Sequence, residues 1–430
     1  MQDTVLRAFF VALVTLLGVL PATTVQAQST GGLRFSGYGT LGYVQDNRND
    51  IVAIRDVSQR PDSNMGSGTW QRDSRLGIQA EYRVSPVVDL VAQAVFRDQV
   101  STHATHAIEL AYAGFKPTPQ LDVRVGRVGY DAFLMSDIRN VGYAYPWVRP
   151  FTEYYGWIPL FSVDGADIAY LIPQGDAQWR LKAQAGRSGL GIPIGDSKLD
   201  VKADGLVTLT VSRRTGPWEA KLGYSSFTNR NEVAPGGGGG LAALQQGLDT
   251  IATATASLAP AISSEATDLR RQLAFKNAHM NYVTLGAVYD DGHLLIQGEL
   301  ARTTSSHKVV PHGTMGYVAI GYRTGDWTPF MAVSATRPGN GLRSAKADWS
   351  VIGQSATQAT AIAVLNSTRM DQKTLSFGTR WDFQERAALK VQWDITRIDP
   401  HGYGLVFKDP ALETRRSSMN QLTLTLDVLF

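Results

Sequence analysis

Apolar and polar positions alternate with a period of two along almost the whole chain. Leu33, Phe35, Gly37, Gly39, Leu41 and Tyr43 share one face, with Arg34, Ser36, Tyr38 and Thr40 on the other. Leu76, Ile78, Ala80, Tyr82 and Val84 are interleaved with Arg75, Gln79, Glu81 and Arg83. The same rhythm sets Leu389, Val391, Trp393 and Ile395 against Lys390, Gln392 and Asp394. It governs the last run too, where Leu422, Leu424, Leu426, Val428 and Phe430 oppose Thr423, Thr425 and Asp427, with Leu429 out of place. This period predicts β-strands with one apolar and one polar face. Each run is about ten residues long, enough for a tilted strand to cross a bilayer.

The connections alternate in length. Tight turns occur at Ser85-Pro86, Pro117–Gln120, Pro173–Asp176, Thr215-Gly216, Asp290–Gly292, Gly325-Asp326 and Gln384–Arg386. Longer segments fall near 45–73, 98–105, 129–160, 187–203, 228–279, 303–313, 338–371 and 397–418. Seven turns and eight loops connect sixteen strands. The pattern predicts an all-β, transmembrane, antiparallel barrel with short periplasmic turns and long extracellular loops. A soluble sandwich also alternates, but its outer faces carry charge. Here the apolar face is nearly free of charge, and Tyr82, Tyr112, Trp218, Tyr289, Tyr322, Trp327 and Trp381 stand near strand ends, as in the aromatic girdles of membrane barrels.

Composition narrows the function classes. With no cysteine, disulfides, thiolate metal sites and cysteine nucleophiles are excluded. A formal net charge of +3 lacks the basic excess of a nucleic-acid binder. Arg7, the apolar run Ala8–Leu20, Pro21 and Val25-Gln26-Ala27 read as a signal peptide over 1–27, leaving 28–430 as one barrel domain. The seven histidines fall on loops or beside a turn, none on a lipid face beside a serine, so no enzymatic site, metal or cofactor is expected.

At this point the chain resembles the bacterial outer-membrane porins of sixteen strands. The likeness rests on the strand count, the turn and loop alternation and the terminal Phe430. It rests also on Val123-Arg124-Val125-Gly126-Arg127, which leads into a long third loop followed by Asp164-Gly165-Ala166-Asp167-Ile168-Ala169-Tyr170. The resemblance implies that the loop 129–160 folds back and narrows the lumen, facing basic side chains on the wall. The constriction residues are then Asp131, Asp137, Arg139, Arg149 and Glu153 on the loop, and Arg34, Arg75, Arg97, Arg124, Lys182, Lys221 and Glu109 at inward wall positions. Inward bases and acids nearly balance. The expected function is passive diffusion of small hydrophilic solutes or ions with a weak anion preference. The alternative is a channel specific for an anionic small molecule such as an organic acid. The resemblance further implies a homotrimer in outer-membrane lipid, with Phe430 read by the barrel-insertion machinery.

The fifth loop, 228–279, departs from such porins in its length. Gly236–Gly240 read as a flexible hinge, and Leu241, Leu244, Leu248, Ile251, Ala254 and Leu258 recur at helical spacing up to Pro260. Ser264 is positioned to cap a second helix from Glu265 to Leu273.

Overall fold

The computed structural model describes residues 32–59, 68–100, 104–157, 160–194, 197–233, 240–402, 405–409 and 412–430. The expected signal peptide and all but Gly240 of the glycine run lie outside the described residues. The strands are β1 (Leu33–Asp46), β2 (Ile51–Ala53), β3 (Arg75–Ser85), β4 (Val88–Arg97), β5 (Ile108–Thr118), β6 (Leu121–Gly129), β7 (Ser162–Gln174), β8 (Ala177–Ile194) and β9 (Ser197–Thr215). They continue as β10 (Trp218–Asn229), β11 (His279–Asp290), β12 (Leu294–Ser305), β13 (Gly313–Tyr322), β14 (Trp327–Pro338), β15 (Gln372–Gln384), β16 (Ala387–Ile398), β17 (Val406–Lys408) and β18 (Ser417–Leu429).

Sixteen of these form a closed antiparallel barrel, in which β1 pairs with both β3 and β18. The short β2 and β17 pair only with each other, tying the first long loop to the last. Closure removes the free edges that an open sheet would expose to lipid. The seam is finished by Phe430, whose amide and carbonyl exchange hydrogen bonds with Gly37.

The two faces divide as the alternation requires. Leu33, Phe35, Val125, Leu222, Leu285, Leu300 and Val318 point outward and are largely exposed. Thr40, Lys182, Gln184, Thr208, Thr210, Gln392, Thr423 and Thr425 point inward and are buried. An uncovered apolar belt of this kind is stable against acyl chains, not water. Aromatic pairs close the short-turn end of the belt: Trp218 meets Tyr289 with ring centroids 4.8 Å apart, and Trp327 stacks on Trp381 at 5.3 Å.

Two expectations need correction. The segment 187–203 is not a loop. β8 and β9 continue through it as one long hairpin, paired from Ser188↔Ala203 to Ile194↔Ser197. The pairing slips between Gly186 and Ser188, and Gly205 turns to φ +59°. Such a bulge changes which side chains share a face and interrupts the two-residue period in the sequence. In the fifth loop, Pro260 does not end a helix but begins one. The helices are Leu241–Ala254 and Pro260–Gln272, and proline suits a first helical turn because its missing N–H has no partner there anyway. A further helix, Ser355–Ser367, occupies the seventh loop.

Candidate pore-constriction site

The third loop leaves β6 at Gly129 and rejoins the wall at Ser162. Its polar groups are held by inward side chains of strands around most of the barrel. Asp131, 2% exposed, is the first anchor. Its Oδ2 accepts from Lys182 Nζ on β8 at 2.9 Å and from Arg180 at 3.2 Å, while Oδ1 accepts from Lys221 on β10. Burial alone would push the Asp131 carboxyl up. Lys221 and Lys182 outweigh burial and hold it well below the usual carboxylate range. Lys182 also reaches Asp167 at 3.2 Å, which Arg124 grips with two hydrogen bonds of 2.9 and 2.7 Å. Arg124, Lys182 and Lys221, with Arg180, therefore form one network in which each base is paired with one of two aspartates.

Next the loop meets β11 and β12. Thr284 donates to the Ala132 carbonyl at 2.8 Å, and the Leu134 amide donates to Glu299 at 2.9 Å. Glu299 also accepts from the hydroxyls of Tyr155 and Tyr317. Phe133, Tyr154, Tyr155, Phe151 and Tyr317 pack edge-on or tilted around this carboxylate. Such aromatic density has a place only where the loop is covered on both sides.

The middle of the loop lies against β1, β3, β16 and β18. Arg75 donates to the Asn140 carbonyl at 2.6 Å and to the Tyr145 hydroxyl at 2.9 Å. Asn140 donates to Glu109 at 2.6 Å, and Glu109 is paired with Arg97. Phe161 is sandwiched between the Arg97 and Arg139 guanidiniums, 3.6 and 3.7 Å from its ring centre. Burial pulls the Arg139 guanidinium down to about 10. Lys390, fully buried, donates to the carbonyls of Gly142 and Trp147 and pairs with Asp427 at 3.0 Å. Arg149 joins Asp73 at 2.8 Å, Asp394 at 2.9 Å and Thr423 at 2.6 Å. Glu153 accepts from Ser334, Gln372 and Thr374 on β14 and β15.

Ten of the twelve sequence-derived site residues thus converge on this loop and the wall that it touches. Two stand apart. Arg34 is exposed near the short-turn end of β1, opposite Glu81. Asp137 is exposed beside an aqueous vestibule. Asp73, Asp167, Glu299, Tyr317, Lys390, Asp394 and Asp427 belong to the same networks, yet only their inward parity, or in the case of Asp73 nothing at all, marks them in sequence.

Above the barrel, the fifth- and seventh-loop helices are joined by Glu265. Its carboxylate accepts from the amides of Lys346 and Ala347, both at 2.8 Å, from the Trp349 indole at 3.1 Å and from Gln358 at 2.9 Å. Asp268 beside it pairs with Arg343. Partial burial raises its carboxyl, but Arg343 and Arg271 lower it to about 2. Glu265→Leu would remove the acceptor that these four donors share, at about 1–3 kcal/mol for a buried group such as the Trp349 indole, while Gln358 keeps the Ala347 carbonyl at 2.8 Å. Limited proteolysis should then cut the 341–347 segment at least tenfold faster than in the wild type.

No protein-family model and no curated protein matches the chain. Among solved structures, OmpF of Salmonella typhi in complex with daunomycin is similar at a TM-score of 0.51, with 12% identity over 93% of this chain and 98% of that one. OmpT, an outer membrane protein of Vibrio cholerae, is similar at 0.51, with 12% identity over 95% of this chain and 100% of that one. At such identity the likeness is one of architecture: the chain has the sixteen-stranded fold of the bacterial outer-membrane porins.

Proposed function

We propose that the protein is a passive channel of the Gram-negative outer membrane, carrying small hydrophilic solutes and ions through a lumen narrowed by its third loop. A sixteen-stranded barrel is too wide for its wall side chains to fill, so an inserted loop sets the narrowest section. The observation that carries this reading is the ring of bonds from Asp131, Asn140, Arg149 and Glu153 to the inner wall. On the short-turn side of the loop an aqueous vestibule of about 630 Å³ remains. Its charges are mixed, with Arg180, Arg214, Arg323 and Arg380 against Asp137, Glu219, Asp290 and Asp382.

A weak anion preference fits the way these charges are presented. In the Arg180–Asp131 pair the base is 33% exposed and the acid 2%. In the Lys116–Asp89 pair the values are 53% and 14%. In the vestibule the Arg214–Glu219 pair has the same order, 69% against 31%, while Arg380–Asp382 reverses it at 11% against 35%, so the excess of cation that mobile ions meet is small. In planar bilayers across a KCl gradient, the reversal potential should correspond to chloride passing about two to three times as readily as potassium. A cation-selective potential would reject the preference. Saturable block of the current by one organic acid would mark a substrate-specific channel instead, with the vestibule arginines as its binding groups. The porin likeness extends the proposal to a homotrimer and to recognition of Phe430 during insertion.

A further inference from the structure

The outer face of β12–β16 is charged where a lipid-facing wall should be neutral. At its long-loop end Arg302, Arg337, Lys373 and Arg397 are all exposed. They share the outward parity of Leu300, Val333 and Leu375, which are 56%, 52% and 38% exposed. Lys373 lies directly opposite Arg397 in the β15–β16 register. Arg302 and Arg337 flank the same residue, Thr314, from either side. Among the described residues none of the four takes part in an ion pair. Asp371 interacts electrostatically with Arg337 and Lys373, and Asp399 is taken by Arg416 at 2.7 Å. Like charges directly opposite each other weaken a sheet unless a counter-charge joins them. At about 4.8 Å between strands, the four cations spread over roughly 19 Å, the width of a lipid headgroup or two.

Directly below, toward the middle of the belt, the wall is hollowed. A groove of about 1080 Å³ has Gly298 and Gly316 at its floor, with Leu300, Val318, Val333 and Leu375 around it, and Arg337, Lys373 and Arg397 at its upper end. Apolar hollow and cationic rim are thus stacked along the membrane normal, in the order of an acyl chain and a phosphate.

We propose that this face is a binding site for a phosphate-bearing lipid of the leaflet on the long-loop side. The guanidiniums of Arg337 and Arg397 suit the paired oxygens of a phosphate, with Lys373 as a point charge between them. The groove takes an acyl chain. A free phosphate would engage only the rim and leave the apolar groove unfilled. The site rests on the membrane placement of the barrel but not on its being a channel.

The test uses the full-length protein in phosphatidylcholine vesicles with spin-labelled phosphatidic acid or spin-labelled phosphatidylcholine of the same chain length. The wild type should retain the phosphatidic acid about three- to tenfold more strongly. In the triple variant Arg337→Gln, Lys373→Gln, Arg397→Gln the two labels should be retained equally, while single-channel conductance stays unchanged because these side chains lie outside the lumen. Ala335→Phe, which fills the groove, should weaken both labels. Equal retention by the wild type, or a preference surviving the triple variant, would overturn the site. So would displacement of the label by millimolar inorganic phosphate, or a disulfide between copies of Leu300→Cys in the native oligomer. Quenching of the belt tryptophans by brominated phosphatidylcholine reports membrane insertion separately, so failure of the lipid site does not count against the barrel.

Discussion

Asp131→Ala should raise single-channel conductance and shift selectivity toward anions. The substitution removes the one carboxylate that Lys182 and Lys221 both contact, and that carboxylate is 2% exposed. Breaking a buried ion pair by deleting one partner costs about 3–5 kcal/mol, because the other charge is left in a poor dielectric. Lys182 keeps Asp167 at 3.2 Å, so the cost falls toward the low end. Lys221 keeps the Phe133 carbonyl at 2.7 Å and a longer-range attraction to Glu299. The start of the loop then loses its hold on β8 and β10, water enters to solvate the two ammoniums, and the passage widens. An increase of about twofold in conductance is the expected scale, with the reversal potential moving in the anion direction. Asp131→Asn retains acceptor geometry without the charge and should show the selectivity change with a smaller conductance change. Bilayer recordings in which both variants match the wild type would place the constriction elsewhere.

The second large effect is expected at Gly142. A Cβ added there would overlap Asp427 Oδ1 outright and would sit 2.6 Å from Thr40 Oγ1 and 2.9 Å from an Arg75 nitrogen. None of these can retreat. Asp427 is fully buried and held by Lys390 at 3.0 Å and by the Thr40 hydroxyl at 2.5 Å, and Arg75 is anchored to the Tyr145 hydroxyl. Gly142→Leu must therefore push the loop off β1 and β18. The Lys390 bond to the Gly142 carbonyl and the Arg75 bond to Asn140 would stretch or break. Overpacking of this kind costs about 1–3 kcal/mol, and here it opens a gap beside the wall. The heat needed to unfold the barrel in dodecyl sulfate gels should fall, and open-channel noise should rise as the loop samples two positions. Gly247→Ala is the matched control: a methyl group at that position would meet no atom within 4 Å, and recordings from the variant should be indistinguishable from the wild type.

Both effects depend on contacts that no short-range pattern announces. The alternation at β18 can be read directly because one side of each strand meets lipid and the other does not, whatever its neighbours are. The same parity marks Arg124, Lys182 and Lys221 as inward. It does not tell that Asp131 and Asp167 pair with them, since those partners lie on other strands or on the loop. The three bases are paired, not free, and any anion preference must come from exposed bases such as Arg180. The 187–203 hairpin is illegible for a different reason: a bulge at Asp204-Gly205, opposite Arg187, shifts which residues share a face, so a periodic reading stops where the strand does not. Pro260 is ambiguous in sequence because proline ends a helix from within but begins one equally well.

By itself, the amino-acid sequence determined the wall: sixteen amphipathic strands of bilayer length, and which side of each strand meets water. These follow from local geometry, because successive side chains on a strand must point to opposite faces. Only the tertiary structure decided how the lumen is filled: that Asp131, Arg149 and Glu153 reach inward partners up to 274 positions away, as Arg149 does at Thr423, and that Glu265 joins two loops above the mouth. Closing the barrel brings strands together irrespective of their separation along the chain. Charge pairing across that enclosed space is set by the closure, and residue order does not encode it locally.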